Sequence, residues 1–112
     1  MKKISYSIIG AGNGGIAMAG YLALIGYDVN LYNRTLKNIQ PLMEKLEIGL
    51  TGEIEGSGKL KLATNNIEEA IRGTKIIMIT VPAMGHFNLA KEMAPYLEDG
   101  QIIVLNPGRT GG

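Results

Sequence analysis

Residues 4 to 15 read Ile-Ser-Tyr-Ser-Ile-Ile-Gly-Ala-Gly-Asn-Gly-Gly, a short apolar strand that runs into Gly10-x-Gly12-x-x-Gly15 and then into an apolar helical stretch. Few folds accept that succession. In a strand–turn–helix unit, Gly10 lets the backbone bend sharply, Gly12 leaves out the side chain that would stand in the way of a pyrophosphate, and Gly15 lets helix and strand pack closely. The helix that follows offers free N–H groups and a partial positive charge, so an anion can be held without a lysine. Ala11, Asn13 and Gly14 complete the turn. The spacing is weak evidence by itself, and the strand before it and the helix after it give it weight. The ligand it implies is a dinucleotide.

A chain of 112 residues suits one domain that buries roughly 65% of the surface exposed when unfolded. Hydrophobic residues make up 46% and charged residues 19%, with a net charge of +1. That balance gives no reason to expect nucleic acid or an anionic membrane as a partner. The absence of cysteine excludes disulfides and thiolate metal sites, and a single histidine argues against a transition-metal centre. Lys2 and Lys3 before an apolar stretch ending near Ala17-Met18-Ala19 superficially resemble a signal peptide. Glycines at 10, 12, 14 and 15 would break its helical core, and no apolar run approaches the ~20 residues of a membrane span. A cytoplasmic protein is expected. The sequence stops at Arg109-Thr110-Gly111-Gly112, where another helix is expected to begin. The expectation is therefore a cofactor-binding domain over residues 1–112, with a C-terminal substrate and catalytic domain absent from this chain.

Periodicity gives the remaining elements. Lys3 to Ile9 suits a buried strand, and Gly14 to Ile25 a helix apolar nearly all round, hence covered on both sides, with Ala17, Gly20 and Ala23 permitting close approach to a sheet. Gly26 supplies a left-handed cap and Tyr27 to Tyr32 a second strand. Thr35 is the expected N-cap of a helix over Leu36 to Leu46 with Ile39, Leu42, Met43 and Leu46 on its apolar face. Residues 47 to 64 mix glycines with short alternating segments, which predicts a small antiparallel excursion before a third sheet strand at Leu60 to Ala63. Asn65-x-x-Glu68 resembles a capping box for a short helix ending at Gly73, and Lys75 to Val81 reads as a central parallel strand. A helix from Gly85 to Ala94, tightened near Pro95, precedes a fifth strand at Gln101 to Leu105. The predicted class is α/β, a Rossmann-type open parallel sheet of order 3-2-1-4-5 with helices on both faces. The methionines read as packing.

In such a sheet the ligand lies across the carboxyl ends of the strands, so the residues following each strand are the candidates. After strand two, where an acidic residue usually binds the adenine ribose hydroxyls, stands Asn33-Arg34-Thr35. A neutral side chain removes the repulsion a carboxylate would exert on a 2′-phosphate, and the Arg34 guanidinium matches that phosphate in a planar, bidentate way. NADP is expected over NAD; a solvated Arg34 beside a turn-forming Asn33 that still bonds a plain ribose is the alternative. After strand four come Val81, Pro82 and Ala83, whose small side chains let the backbone run against a flat ligand, and His86, either a group near the nicotinamide or a structural histidine. After strand five, Asn106, Pro107 and Gly108 are too polar and glycine-rich for core and are expected at the nicotinamide end. Arg109 could meet an acidic substrate or be an exposed cation.

Gly-x-Gly-Asn-Gly-Gly at 10 to 15, Val-Pro-Ala-x-x-His at 81 to 86 and Leu-Asn-Pro-Gly-x-Thr-Gly-Gly at 105 to 112 together resemble the cofactor domain of the opine (octopine and nopaline) dehydrogenases. The resemblance implies a two-domain enzyme that condenses an amino acid with an α-keto acid such as pyruvate and reduces the imine with NAD(P)H. It implies too that the catalytic histidine and aspartate, and most substrate contacts, belong to a C-terminal domain whose positions are not in this chain. No catalytic residue is expected here, and His86 matches a histidine the family has after its fourth strand. Asn33-Arg34-Thr35 departs from members with an acidic residue there and looks more like NADP-dependent 6-phosphogluconate dehydrogenases. Ketopantoate reductase, glycerol-3-phosphate dehydrogenase and 6-phosphogluconate dehydrogenase-like enzymes are rival readings, as is a non-catalytic NAD(P)H-sensing module.

Overall fold

The computed structural model describes residues 4–10, 12–50, 56–81 and 86–105. The apolar segment before the glycines forms β1 (Ser5–Ile9), followed by α1 (Asn13–Leu24), β2 (Asp28–Tyr32) and α2 (Leu36–Lys45). The excursion is a two-stranded antiparallel hairpin, β3 (Glu47–Leu50) with β4 (Gly56–Lys59). Then come β5 (Leu62–Thr64), α3 (Ile67–Ile71), β6 (Ile76–Ile79), α4 (His86–Met93), a 3₁₀ turn (Ala94–Tyr96) and β7 (Ile102–Leu105). The main sheet is wholly parallel and runs β5-β2-β1-β6-β7. Its third strand in sequence is labelled β5 because the two hairpin strands precede it; the expected order counted only the parallel strands.

Strand alternation sends successive side chains to opposite faces and so divides the core in two. Ile8, Val29, Leu31 and Ala63 pack with Ala19 of α1 and Ile39 of α2, whereas Ile9, Tyr32, Ile77 and Ile79 pack with Ala70 and Ile71 of α3 and with Leu89 and Met93 of α4. Helices therefore cover both faces. The all-round apolarity of α1 is explained by its second cover, the hairpin. Ala23 packs beside Gly58 of β4, and a Cβ on Gly58 would run into the Gly20 carbonyl oxygen. Gly20 and Ala23 thus admit the hairpin rather than the sheet, and Ala17 is exposed, contrary to the sequence expectation.

Other local readings shift for physical reasons. The cap of α3 is Asn66, one residue beyond the expected Asn65: its side chain accepts from the Glu69 backbone N–H at 3.2 Å, while Thr64 Oγ1 donates to the Glu69 carboxylate at 3.0 Å. That helix stops at Ile71 instead of Gly73. Thr35 stands at the N-cap of α2 without a side-chain capping bond, Leu46 ends the helix in the left-handed region at φ 56°, and Met43 is exposed rather than on the packed face. Among the described residues the longest exposed apolar run is β7, where Ile102, Ile103, Val104 and Leu105 are all exposed. Among the described residues no helix is long and apolar enough to cross a membrane.

Candidate functional site

The carboxyl ends of β1, β2 and β6 meet at one edge of the sheet, and the glycine turn is built there by three contacts. Gly10 adopts φ +123°, which L side chains rarely adopt, and its N–H donates to the Tyr32 carbonyl at 2.8 Å. A Cβ on Gly10 would come within 2.6 Å of Thr80 Oγ1 and 2.9 Å of Val81 Cγ1. Thr80 Oγ1 reaches both the Ile9 carbonyl (3.0 Å) and the Gly10 carbonyl (3.1 Å), tying the turn to the end of β6. Gly15 lies against that same Gly10 carbonyl, where a Cβ would collide with it. Strand, turn and helix are thereby locked together.

Gly12 differs from both. Its φ of −76° and ψ of 179° suit any residue, and a Cβ there would meet nothing within 4 Å. Among the described residues nothing requires glycine at this position. Gly12 is also the N-cap of α1, which has no side-chain cap and no acidic residue in its first turn. The first intrahelical bond runs from the Ile16 N–H to the Gly12 carbonyl at 2.9 Å, so the amides before it have no partner within the helix. An uncapped, partly positive helix end facing open space fits a pyrophosphate.

Beside the turn lies an open cleft of ≈ 450 Å³ lined by Gly10, Tyr32, Asn33, Arg34, Val81, Asn88 and Leu89. The Asn33 backbone N–H donates to the Thr64 carbonyl at 3.2 Å and its side-chain amide to the Thr35 carbonyl at 3.1 Å, which fixes the start of the β2–α2 connection. Arg34 Nη2 makes a 2.7 Å ion pair with Glu92 Oε1 of α4. Burial pushes the Tyr32 phenol pKa up, the nearby Glu92 carboxylate pushes it further, and Arg34 draws it part of the way back. His86 Nε2 bonds the Val81 carbonyl at 2.9 Å, closing the β6–α4 connection on itself.

Of the residues singled out from sequence, the cleft brings together Gly10, Asn33, Arg34 and Val81, with Gly12, Gly14 and Gly15 at the adjoining helix end. Thr35 and His86 do not line the cleft; Thr35 faces the Asn33 amide through its carbonyl, and His86 takes a structural position. Ala11, Pro82, Ala83, Asn106, Pro107 and Gly108 lie outside the described residues, as does the Asn13 side chain. Sequence reasoning missed Tyr32, Thr80, Asn88, Leu89 and Glu92. Tyr32 and Thr80 follow from the rule that strand ends carry the site, whereas the α4 residues reach it only through tertiary packing. Among the described residues no cluster of His, Cys, Asp and Glu could hold a metal ion.

A parallel sheet of this order, with a glycine turn after its first strand and a cleft where the connections diverge, defines a Rossmann-type dinucleotide-binding domain. The chain belongs to the family described as the NAD binding domain of 6-phosphogluconate dehydrogenase, which matches residues 5–107. It is 38% identical over 113 aligned residues to an opine dehydrogenase from Arthrobacter sp. (strain 1C), covering 100% of this chain and 32% of that protein. A glycerol-3-phosphate dehydrogenase [NAD(P)+] from Agathobacter rectalis is 35% identical over 102 residues, 87% of this chain and 29% of the relative. An octopine dehydrogenase structure with NADH and pyruvate superposes with a TM-score of 0.78 at 25% identity, over 90% of this chain and 28% of that one. The chain is thus an NAD-binding domain resembling those of opine dehydrogenases, and it spans about a third of the length of these relatives.

Proposed function

We propose that this chain is the cofactor-holding domain of an NAD(P)-dependent oxidoreductase of the opine dehydrogenase type, acting on an amino acid and an α-keto acid, with substrate and catalytic groups in a second domain. The observation that carries this reading is Gly12, where open space fronts the uncapped N-terminus of α1. Gly12, Gly14 and Gly15 would hold the pyrophosphate; Gly10, Asn33, Arg34 and Val81 would border the adenosine half; and Pro82, Ala83, Asn106, Pro107 and Gly108 would lie toward the nicotinamide. The bound dinucleotide supplies the hydride that is transferred, while the protein positions it and screens it from water. Arg34 supports NADP as the preferred form, because its guanidinium matches a 2′-phosphate. The absence of cysteine is in keeping with a cytoplasmic location.

Calorimetric titration of the chain with NADPH and NADH tests this reading. NADPH should bind more tightly, and Arg34→Ala should narrow the gap by about tenfold, the worth of one charge-assisted contact. Tighter NADH binding, or unchanged NADPH affinity in the variant, would contradict the preference. The similarity to glycerol-3-phosphate dehydrogenase supports a second reading, in which the donor is an alcohol. Cofactor turnover by the enzyme that carries both domains, with an amino acid plus pyruvate set against glycerol 3-phosphate, separates the two.

A further inference from the structure

Asn33 stands where a carboxylate would follow β2 in an NAD-specific site, yet a carboxylate arrives from elsewhere. Glu92 of α4, 58 residues away in sequence, places Oε1 at 2.7 Å from Arg34 Nη2. Arg34 lines the cleft together with Asn88 and Leu89, which lie on the same helix as Glu92. The guanidinium is therefore occupied by an internal anion at the position where a 2′-phosphate would need it. Tyr32, at the end of β2 and facing the cleft, senses both charges.

We infer that Glu92 is a specificity-determining residue, an internal counter-ion that a cofactor 2′-phosphate must displace from Arg34 before it can bind. This deepens the dinucleotide reading and rests on it. The physical ground is competition for one planar cation: two carboxylate oxygens and a phosphate seek the same N–H donors, and with Arg34 drawn to the phosphate, Glu92 would face it as an unpaired like charge. NADH carries only an uncharged hydroxyl at that position and does not compete as an anion for the guanidinium. Both partners are exposed, Arg34 at 72% and Glu92 at 36% of the side chain, so the pair is exchangeable and its effect is moderate and salt-dependent.

The test is calorimetric titration of the chain and of Glu92→Gln with NADPH and NADH, at low and at high salt. Glu92→Gln keeps the side-chain length and removes the charge. Its NADPH affinity should rise roughly fivefold at low salt, the size expected of an exposed charge pair, and the gain should shrink at high salt. In an Arg34→Ala background the same substitution should give less than half that gain, because the cation over which the two anions compete is gone. Unchanged or weaker NADPH binding by Glu92→Gln overturns the inference. So does a loss of NADH affinity with NADPH unaffected, which would make Glu92 an acceptor for the ribose hydroxyls. If the unmodified chain binds neither cofactor, the dinucleotide reading falls and this inference with it; if it binds both and the substitution leaves their ratio untouched, this inference falls alone.

Discussion

Two glycines three residues apart in the same turn carry opposite obligations. Gly15 is demanded by the fold, since a Cβ there would strike the Gly10 carbonyl, and Gly15→Ala should cost about 2–3 kcal/mol in urea denaturation. At Gly12 the backbone is ordinary and the space is open, so Gly12→Val should lose no more than about 1 kcal/mol, the usual penalty for a poor N-cap residue. The glycine spacing announces both positions identically, and only the packing distinguishes the glycine the fold demands from the one it leaves free. Tyr32 gives a residue-level prediction about pH. Its phenol pKa is raised above 10.0, first by burial and then by Glu92, so the folded state holds the neutral form. That contribution is intact below pH 10 and is lost as pH rises through the higher folded value. Urea unfolding across pH 9 to 11 should show wild type losing stability more steeply than Tyr32→Phe; parallel slopes would refute the assignment.

At the scale of elements, the sequence reported what is periodic and concealed what is tertiary. Each parallel strand and each principal helix was legible from apolar runs and turn residues, and the antiparallel excursion from its glycines. Where that excursion lands was not legible, because the small residues Gly20 and Ala23 signal close approach without saying to what. The hairpin fills that place, and Gly58→Ala should cost about 2–3 kcal/mol by pressing a Cβ onto the Gly20 carbonyl, whereas Gly49→Ala on the partner strand, with nothing within 4 Å, should be nearly neutral. Equal effects at the two positions would mean that β4 does not seat on α1. A second concealed feature is the anchoring of α3. Beyond the turn at Gly73, side chains hold its last carbonyls: Ser7 Oγ (2.6 Å) and the Asn30 amide (3.0 Å) bond the Ala70 carbonyl, while Thr74 Oγ1 (2.9 Å) and the Gln101 amide (2.7 Å) bond that of Ile71. Side chains from β1 and β2, with Thr74 and with Gln101 just before β7, thus finish a five-residue helix. Local pattern could not reveal most of it, since three of the four donors lie 30 to 63 residues from their acceptor; only Thr74, three residues away, is local.

For the molecule as a whole, the site is a property of the sheet edge, not of any one segment. Strand-end logic leads to Asn33, Arg34 and Val81, which line the cleft, because a parallel sheet gathers its strand termini at one side. The same logic could not find Asn88, Leu89 and Glu92, which the β6–α4 crossover carries over the cleft, nor could it show that Arg34 already has an anion as partner. The central claim is that the clear space at Gly12, before the α1 N-terminus, holds the pyrophosphate of a nicotinamide dinucleotide. Thermal unfolding with and without cofactor, on wild type and Gly12→Val, tests it most directly. At a hundredfold excess over Kd, NADPH should stabilise the wild-type chain by about 2.7 kcal/mol, a rise of roughly 10–20 °C for a domain of this size. Gly12→Val should unfold within a few degrees of the ligand-free wild type and gain nothing from NADPH or NADH; a variant stabilised by either cofactor as strongly as wild type would contradict the account.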